Sequence, residues 1–195
     1  IWLNLLKHTR EVDGNLDTLN HVIIGGSAAP GAMIKEFQDT YGTKVVHAWG
    51  MTEMSPLGSS GVLPPHIAKV TSDDEKFDLQ VKQGHRVWGV DMKIVDDEEN
   101  PQVHDGKARG HLVVRGPWIT SGYYNNHDAN EKAFTQDGWF YTGDIATIDP
   151  DSFLQLVDRS KDVIKSGGEW ISSIDLENEA VGAPGVSEAA VIGVA

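Results

Sequence analysis

The run His47-Ala48-Trp49-Gly50-Met51-Thr52-Glu53 sets a flat aromatic ring, a glycine, a hydroxyl and a carboxylate side by side. Each suits one part of a nucleotide carrying a metal ion. An indole can stack on a planar base. A glycine lets the backbone approach closely. A threonine hydroxyl can donate to a phosphate oxygen, and one carboxylate together with phosphate oxygens is a usual way of holding Mg²⁺. Read alone, the same run is also an ordinary junction between a strand and a loop. The rest of the chain has to decide.

Further residues of the same kind follow in order. Gly25-Gly26-Ser27-Ala28 is a stretch of small residues that could lie against a flat ring. Asp144, in Tyr141-Thr142-Gly143-Asp144, offers two acceptor oxygens to a pair of neighbouring hydroxyls such as those of a ribose. Otherwise it is a turn aspartate before a strand. Arg159 carries a planar fork that fits phosphate or ribose oxygens, or it forms a local ion pair with Asp158. Lys161 and Lys165 come next, with Ser166-Gly167-Gly168-Glu169 directly after them. His8, His21, His66 and His127 have no partner at ligand spacing, and no zinc pattern emerges. His47, two residues before Trp49, could border a substrate pocket. The run Asp96-Asp97-Glu98-Glu99 reads as a solvated hairpin tip.

The surrounding pattern says what positions these residues. Ile1 to His8 reads as the end of an amphipathic helix. His21 to Ile24 reads as a buried strand entering a glycine turn. Pro30 then opens a helix over Gly31 to Tyr41, with Met33, Ile34 and Phe37 on one face and Gly42 ending it. Lys44 to Trp49 is the next strand. Strand, helix and strand at this spacing predict a βαβ unit with a parallel sheet. Both glycine turns would then lie at the carboxyl ends of strands, where open α/β sheets bind ligands. Ser55 to Pro65 reads as loop, and a surface helix is expected within Ser72 to Val81. From about Val87 short alternating strands follow: Asp91 to Val95, His111 to Val114, Ile145 to Ile148 and Phe153 to Val157. These predict an antiparallel, barrel-like unit. Asp128 to Phe134 reads as a short helix, Ser173 to Val181 as another, and Glu188 to Val194 as a strand.

The 195 residues suffice for one ordinary domain, and a hydrophobic content of 39% supports a core. The formal net charge of −13 argues against a general nucleic-acid or anionic-membrane binder, since those need clustered Lys and Arg. The chain has no cysteine, so disulfides, thiolate metal sites and cysteine nucleophiles are excluded, which fits a cytoplasmic setting. No apolar run approaches the roughly 18 residues of a membrane span. The chain begins at Ile1 and ends in an apolar run, so it reads as a piece of a longer protein.

Taken together, Gly25 to Pro30, His47 to Glu53, Gly110 to Pro117, Gly138 to Asp144 and Asp158 to Glu169 resemble the motif set of the adenylate-forming superfamily of acyl-CoA synthetases, luciferases and adenylation domains. The likeness runs over nearly the whole chain. The wording around Trp49 and from Val90 to Asp97 is most similar to medium-chain fatty acyl-CoA ligases, and in particular to bacterial 3-methylmercaptopropionyl-CoA ligases.

The resemblance implies a fold class and a partition. The chain is expected to be α/β (α+β overall). Residues 1–86 would be the end of an α/β subdomain of a large AMP-binding domain, 87–159 a β-barrel-like subdomain, and 160–195 the hinge and start of a small C-terminal α+β domain. It implies ATP or AMP, Mg²⁺ and coenzyme A as ligands, and a small carboxylic acid as substrate. No nucleic acid or membrane span is expected, and a homodimer is among the assemblies the reading admits. Gly26, Ser27 and Ala28 would wall the adenine site, Trp49, Gly50 and Met51 would border it, and Thr52 would meet the α-phosphate. Glu53 would hold the metal, Asp144 and Arg159 the ribose or phosphate, and Lys161 would be the hinge. Lys165 would act on the acyl-adenylate, and Gly167 and Gly168 would line the pantetheine tunnel. The activity implied is an acid–CoA ligase acting on a short- or medium-chain fatty acid or 3-methylmercaptopropionate. The rivals are an adenylation domain loading a carrier protein and a non-catalytic AMP-binding module. The superfamily's phosphate loop and its C-terminal lysine have no match here, so the chain alone is expected to be inactive. Gly84-His85-Arg86 departs from the superfamily wording, which leaves no contact assigned there.

Overall fold

The computed structural model describes residues 1–26, 29–69, 71–166, 169–183 and 185–193. The first helix, α1 (Trp2–Glu11), leads to strand β1 (His21–Ile24), helix α2 (Gly31–Tyr41) and strand β2 (Lys44–Gly50). β1 and β2 pair in parallel, with His21 opposite Lys44 and Ile24 opposite His47, so the expected βαβ unit is present. Helix α2 buries Met33, Ile34 and Phe37, as its spacing predicts, and ends where Gly42 takes the left-handed conformation at φ 64°. β1, read as a buried strand, is covered on one face: Val22 and Ile24 face α2, while Ile23 is 67% exposed. Removing one methylene-sized group beneath α2 gives a graded test. Ile34→Val is expected to cost about 0.5–1.5 kcal/mol in urea denaturation with an unchanged m-value, since Ile34 has no exposed surface.

A short 3₁₀ turn (Thr52–Met54) follows β2 and precedes strand β3 (Leu57–Ser60). Helices α3 (Pro65–Ala68) and α4 (Asp73–Gln80) then lead to strand β4 (Gly84–Arg86). α4 matches the expected surface helix and starts with a capping box between Ser72 and Glu75. Strands β5 (Asp91–Val95), β6 (Gly110–Arg115), β7 (Phe140–Ile148) and β8 (Phe153–Arg159) form an antiparallel meander, with helix α5 (His127–Ala133) between β6 and β7. A small hairpin of β9 (Ile164–Ser166) and β10 (Glu169–Ile171) and a helix α6 (Ser173–Val181) complete the order.

Several expectations need correction. Among the described residues the antiparallel strands of the barrel-like unit belong to an open sheet. Eight strands of the described residues make one sheet in the order β1-β2-β3-β4-β8-β7-β6-β5. β4 joins the parallel part to the meander by pairing with β3 on one side and β8 on the other. β3 and β4 fall in stretches read as loop or left without a strand. They hold only four and three residues, too short for a period to register, and they form because β2 and β8 offer ladder partners. The expected strand over Glu188 to Val194 is not formed among the described residues there. Instead the Val191 N–H donates to the Glu177 carboxylate at 3.0 Å. The Asp96–Glu99 run is a turn, but not merely solvated: Glu99 accepts hydrogen bonds from the Tyr141 hydroxyl and the Gln136 N–H. Burial, and then that bond to Glu99, push the Tyr141 phenol up to about 12.

Among the described residues, two apolar clusters support the sheet. One lies under α2 and contains Leu6, Val22, Ile34 and Phe37. The other lies on the meander and contains Trp49, Met54, Ile94, Leu112, Phe140 and Leu154. No helix among the described residues is long and apolar enough to cross a membrane.

Candidate functional site

Parallel pairing puts the ends of β1 and β2 side by side, so Gly25 and Gly26 run past Ala48 and Trp49. A Cβ on Gly25 would lie 3.2 Å from the Ala48 carbonyl oxygen, and Gly26 takes φ 82°. Only glycine fits this turn without strain at Gly26. A cleft of about 160 Å³ opens here, lined by Gly26, Trp49, Gly50, Asp144, Arg159 and Ile174 among others. It lies at the carboxyl ends of the parallel strands, where the sequence places it.

Asp144 is the electrostatic centre of the cleft. It lies within β7, directly opposite Arg159 of β8, and not in the turn before a strand. Its residue is 4% exposed. The Trp49 Nε1 donates to Oδ2 at 3.1 Å, and Arg159 Nη1 lies 3.1 Å from Oδ1. Burial pushes the Asp144 carboxyl above the ordinary aspartate range, while Arg159, Trp49 and Thr142 pull the other way. Arg159 therefore pairs with Asp144, not with its neighbour Asp158. Asp158 accepts instead from the Arg159 N–H at 2.7 Å and from the Ser173 N–H of α6 at 2.8 Å.

Trp49 has a role that the sequence did not suggest. Its indole is 7% exposed and packs in the meander core, with Gly58 close against the ring. Its Nε1 aims the Asp144 carboxylate. The residue also lines the cleft.

Thr52 and Glu53 open the 3₁₀ turn beyond Gly50, with Thr52 exposed and Glu53 half-buried. Neither lines the cleft itself. Met51 packs against the meander core. The Glu53 carboxylate accepts from the Tyr123 hydroxyl at 2.9 Å. Burial, then the bond to Glu53, push that phenol up. No group of three or more His, Cys, Asp or Glu could hold a metal among the described residues. A single glutamate fits Mg²⁺ only where phosphate oxygens complete the shell, which is how Mg²⁺ is usually bound.

Lys161 is exposed and lies 4.0 Å from Asp162, at the rim of a second, open cleft with Gly143, Arg159 and Ser160. Lys165 lies in β9 opposite Trp170. Ser27, Ala28, Gly167 and Gly168, and the Lys165 side chain, lie outside the described residues. His47 is buried at 1% exposure and does not line the cleft. The structure thus brings Gly26, Trp49, Gly50, Asp144 and Arg159 together and sets Thr52 and Glu53 beside them. Sequence reasoning missed Gln83, Ile174 and Tyr123. Gln83 lines the cleft and accepts from the Leu156 N–H at 2.6 Å. No local spacing marks any of the three.

A family model described as AMP-binding enzyme matches residues 1–124. The chain is 48% identical over 194 residues to the 3-methylmercaptopropionyl-CoA ligase of Ruegeria lacuscaerulensis, covering 100% of this chain and 35% of that protein. It is 44% identical over 192 residues to the medium-chain-fatty-acid–CoA ligase of Ectopseudomonas oleovorans, covering 98% and 34%. Among solved structures it resembles the o-succinylbenzoate CoA synthetase of Bacillus subtilis in complex with its acyl-adenylate intermediate. There the TM-score is 0.76 at 25% identity, over 100% of this chain and 41% of that one. The chain spans about a third of the length of the curated relatives it matches.

Proposed function

The chain belongs to the AMP-binding enzyme family, and from that premise we propose that the whole protein is an ATP-dependent acid–CoA ligase. Its substrate on this reading is a short- or medium-chain fatty acid or 3-methylmercaptopropionate. The observation that carries the reading is the Asp144 carboxylate, buried at the carboxyl ends of the parallel strands and held from two sides by Trp49 and Arg159.

The buried carboxylate accepts the two ribose hydroxyls with lone pairs that Trp49 and Arg159 leave over. Gly26, Ser27 and Ala28 border the adenine on this reading, together with Trp49. Gly50 and Met51 keep the backbone close to the nucleotide. Thr52 donates to the α-phosphate, and Glu53 would hold Mg²⁺, which would supply neutralisation of phosphate charge. An oxygen of the acid attacks the α-phosphorus, and pyrophosphate leaves. The small domain then turns about Lys161. The CoA sulfur attacks the acyl carbonyl carbon, losing its proton, and AMP leaves. Lys165 stabilises charge on the adenylate in that step, with Gly167 and Gly168 along the pantetheine path. Positioning and electrostatics account for both steps, which suits a site built from fixed strand ends.

The test is AMP release by the full-length protein with Mg·ATP, with and without CoA, over a series of short to medium acids that includes 3-methylmercaptopropionate. CoA-dependent release peaking on one acid is the expected result. Pyrophosphate exchange without CoA-dependent turnover would move the reading to a carrier-loading adenylation domain. A complete lack of acid-dependent signal would leave only a nucleotide-binding module.

A further inference from the structure

Residues 120–130 form a loop and helix start attached to Glu53 at two points. The Thr120 N–H donates to the Glu53 carbonyl oxygen at 2.7 Å, and the Tyr123 hydroxyl donates to Glu53 Oε1 at 2.9 Å. Tyr123 is itself held by its backbone. Its N–H donates to Asn130 Oδ1 at 2.6 Å, and Asn130 Nδ2 donates to its carbonyl oxygen at 2.9 Å. Asn130 sits on α5, so the clamp is anchored to a helix. Gly122 makes the clamp fit: it has φ 150°, and a Cβ there would lie 3.1 Å from Asn130 Oδ1. Thr120 closes the turn through hydrogen bonds with Gly122.

This is a costly arrangement for a surface phenol without a task. The next residue, Tyr124, is the same type and fully exposed. A glutamate side chain has several rotatable bonds and loses conformational entropy when fixed. A metal site with a single protein carboxylate depends on that one side chain pointing correctly. Outer hydrogen-bond partners that orient metal-bound carboxylates therefore strengthen binding measurably.

We propose that Tyr123 is a positioning residue for Glu53, fixing one carboxylate oxygen so that the other is presented to the magnesium ion of Mg·ATP. The inference rests on the reading of Glu53 as the metal carboxylate. Asn130 and Gly122 act through Tyr123 by fixing its backbone, and Tyr124 has no part.

The full-length protein carrying Tyr123→Phe, Tyr124→Phe or Glu53→Gln tests this by calorimetric titration of ATP at a series of Mg²⁺ concentrations. AMP binding without metal serves as the second readout. Tyr123→Phe should raise the Mg²⁺ concentration for half-maximal ATP binding by roughly tenfold, with AMP affinity unchanged. Tyr124→Phe should match the parent. A shift with Glu53→Gln but none with Tyr123→Phe overturns the positioning role alone. An unchanged Mg²⁺ requirement with Glu53→Gln removes the metal role of Glu53, and the inference with it. Equal losses of AMP and Mg·ATP affinity in Tyr123→Phe would mark the phenol as merely structural and also overturn it.

Discussion

Gly50→Ala is expected to destabilise the chain strongly. A Cβ at this position would lie 1.8 Å from the Pro56 carbonyl oxygen, 2.8 Å from its carbonyl carbon and 2.9 Å from Leu57 Cα. All three are backbone atoms, so no side chain can rotate out of the way. Gly50 closes β2 at an irregularity in its pairing with β3, where Trp49 faces Ser59 and Gly50 faces Leu57. Relief requires β3 to move away from β2, and β3 is four residues long. Overpacking of this kind costs roughly 1–3 kcal/mol where side chains can adjust. Here the expected loss is about 3 kcal/mol or more, read by urea denaturation of the purified chain. Gly50 also lines the cleft beside Trp49, so AMP affinity of the full-length protein should fall in the same variant. A variant with parental stability would show that β3 is not held as described.

Asp144→Asn is expected to separate stability from binding. Asparagine can still accept from Trp49 Nε1, but it presents one acceptor oxygen in place of two. Hydrogen bonds to a charged partner contribute about 1.5–3 kcal/mol each, so loss of one ribose contact should weaken AMP binding by at least roughly tenfold. Stability should move the other way. Burial raises the folded-state pKa of Asp144 above its ordinary value, so the unfolded chain releases this proton first as pH rises. The parent therefore gains from Asp144 below the ordinary aspartate pKa and loses that gain as pH climbs through the folded value. Asparagine does not titrate. Melting temperatures of parent and variant should lie together near pH 3–4, and the variant should melt higher at neutral pH. The lost attraction to Arg159 offsets little, because that guanidinium is 55% exposed and screened. A variant that melts lower than the parent at pH 7 would show that the Asp144–Arg159 pair outweighs the burial cost.

Both variants bear on residues that sequence reading found only through their motifs. Helix α2 and strand β5 were legible directly: β5 spans Asp91–Val95 and α2 spans Gly31–Tyr41, as their periods predict. Periodicity records which face of a long element is buried, and that is a local property. The strands β3 and β4 left no such record. Their few residues pair because neighbouring strands present free edges, so they exist only once β2 and β8 are in place.

By itself the amino-acid sequence determined the βαβ start, the presence of the meander strands though not where β7 begins, the glycine turn at Gly25-Gly26 and the residue types that gather at the cleft. Side-chain chemistry and local period are written in neighbouring residues. The tertiary structure alone decided that the sheet stays open and that Arg159 pairs with Asp144 across the ladder, leaving Asp158 to α6. It also decided that Trp49 aims Asp144 from 95 positions away and that Tyr123 reaches Glu53 from 70. Those contacts are fixed by strand register and by where a loop lands on a sheet. Both are set by the packing of the whole chain and leave no period or spacing in any one stretch of it.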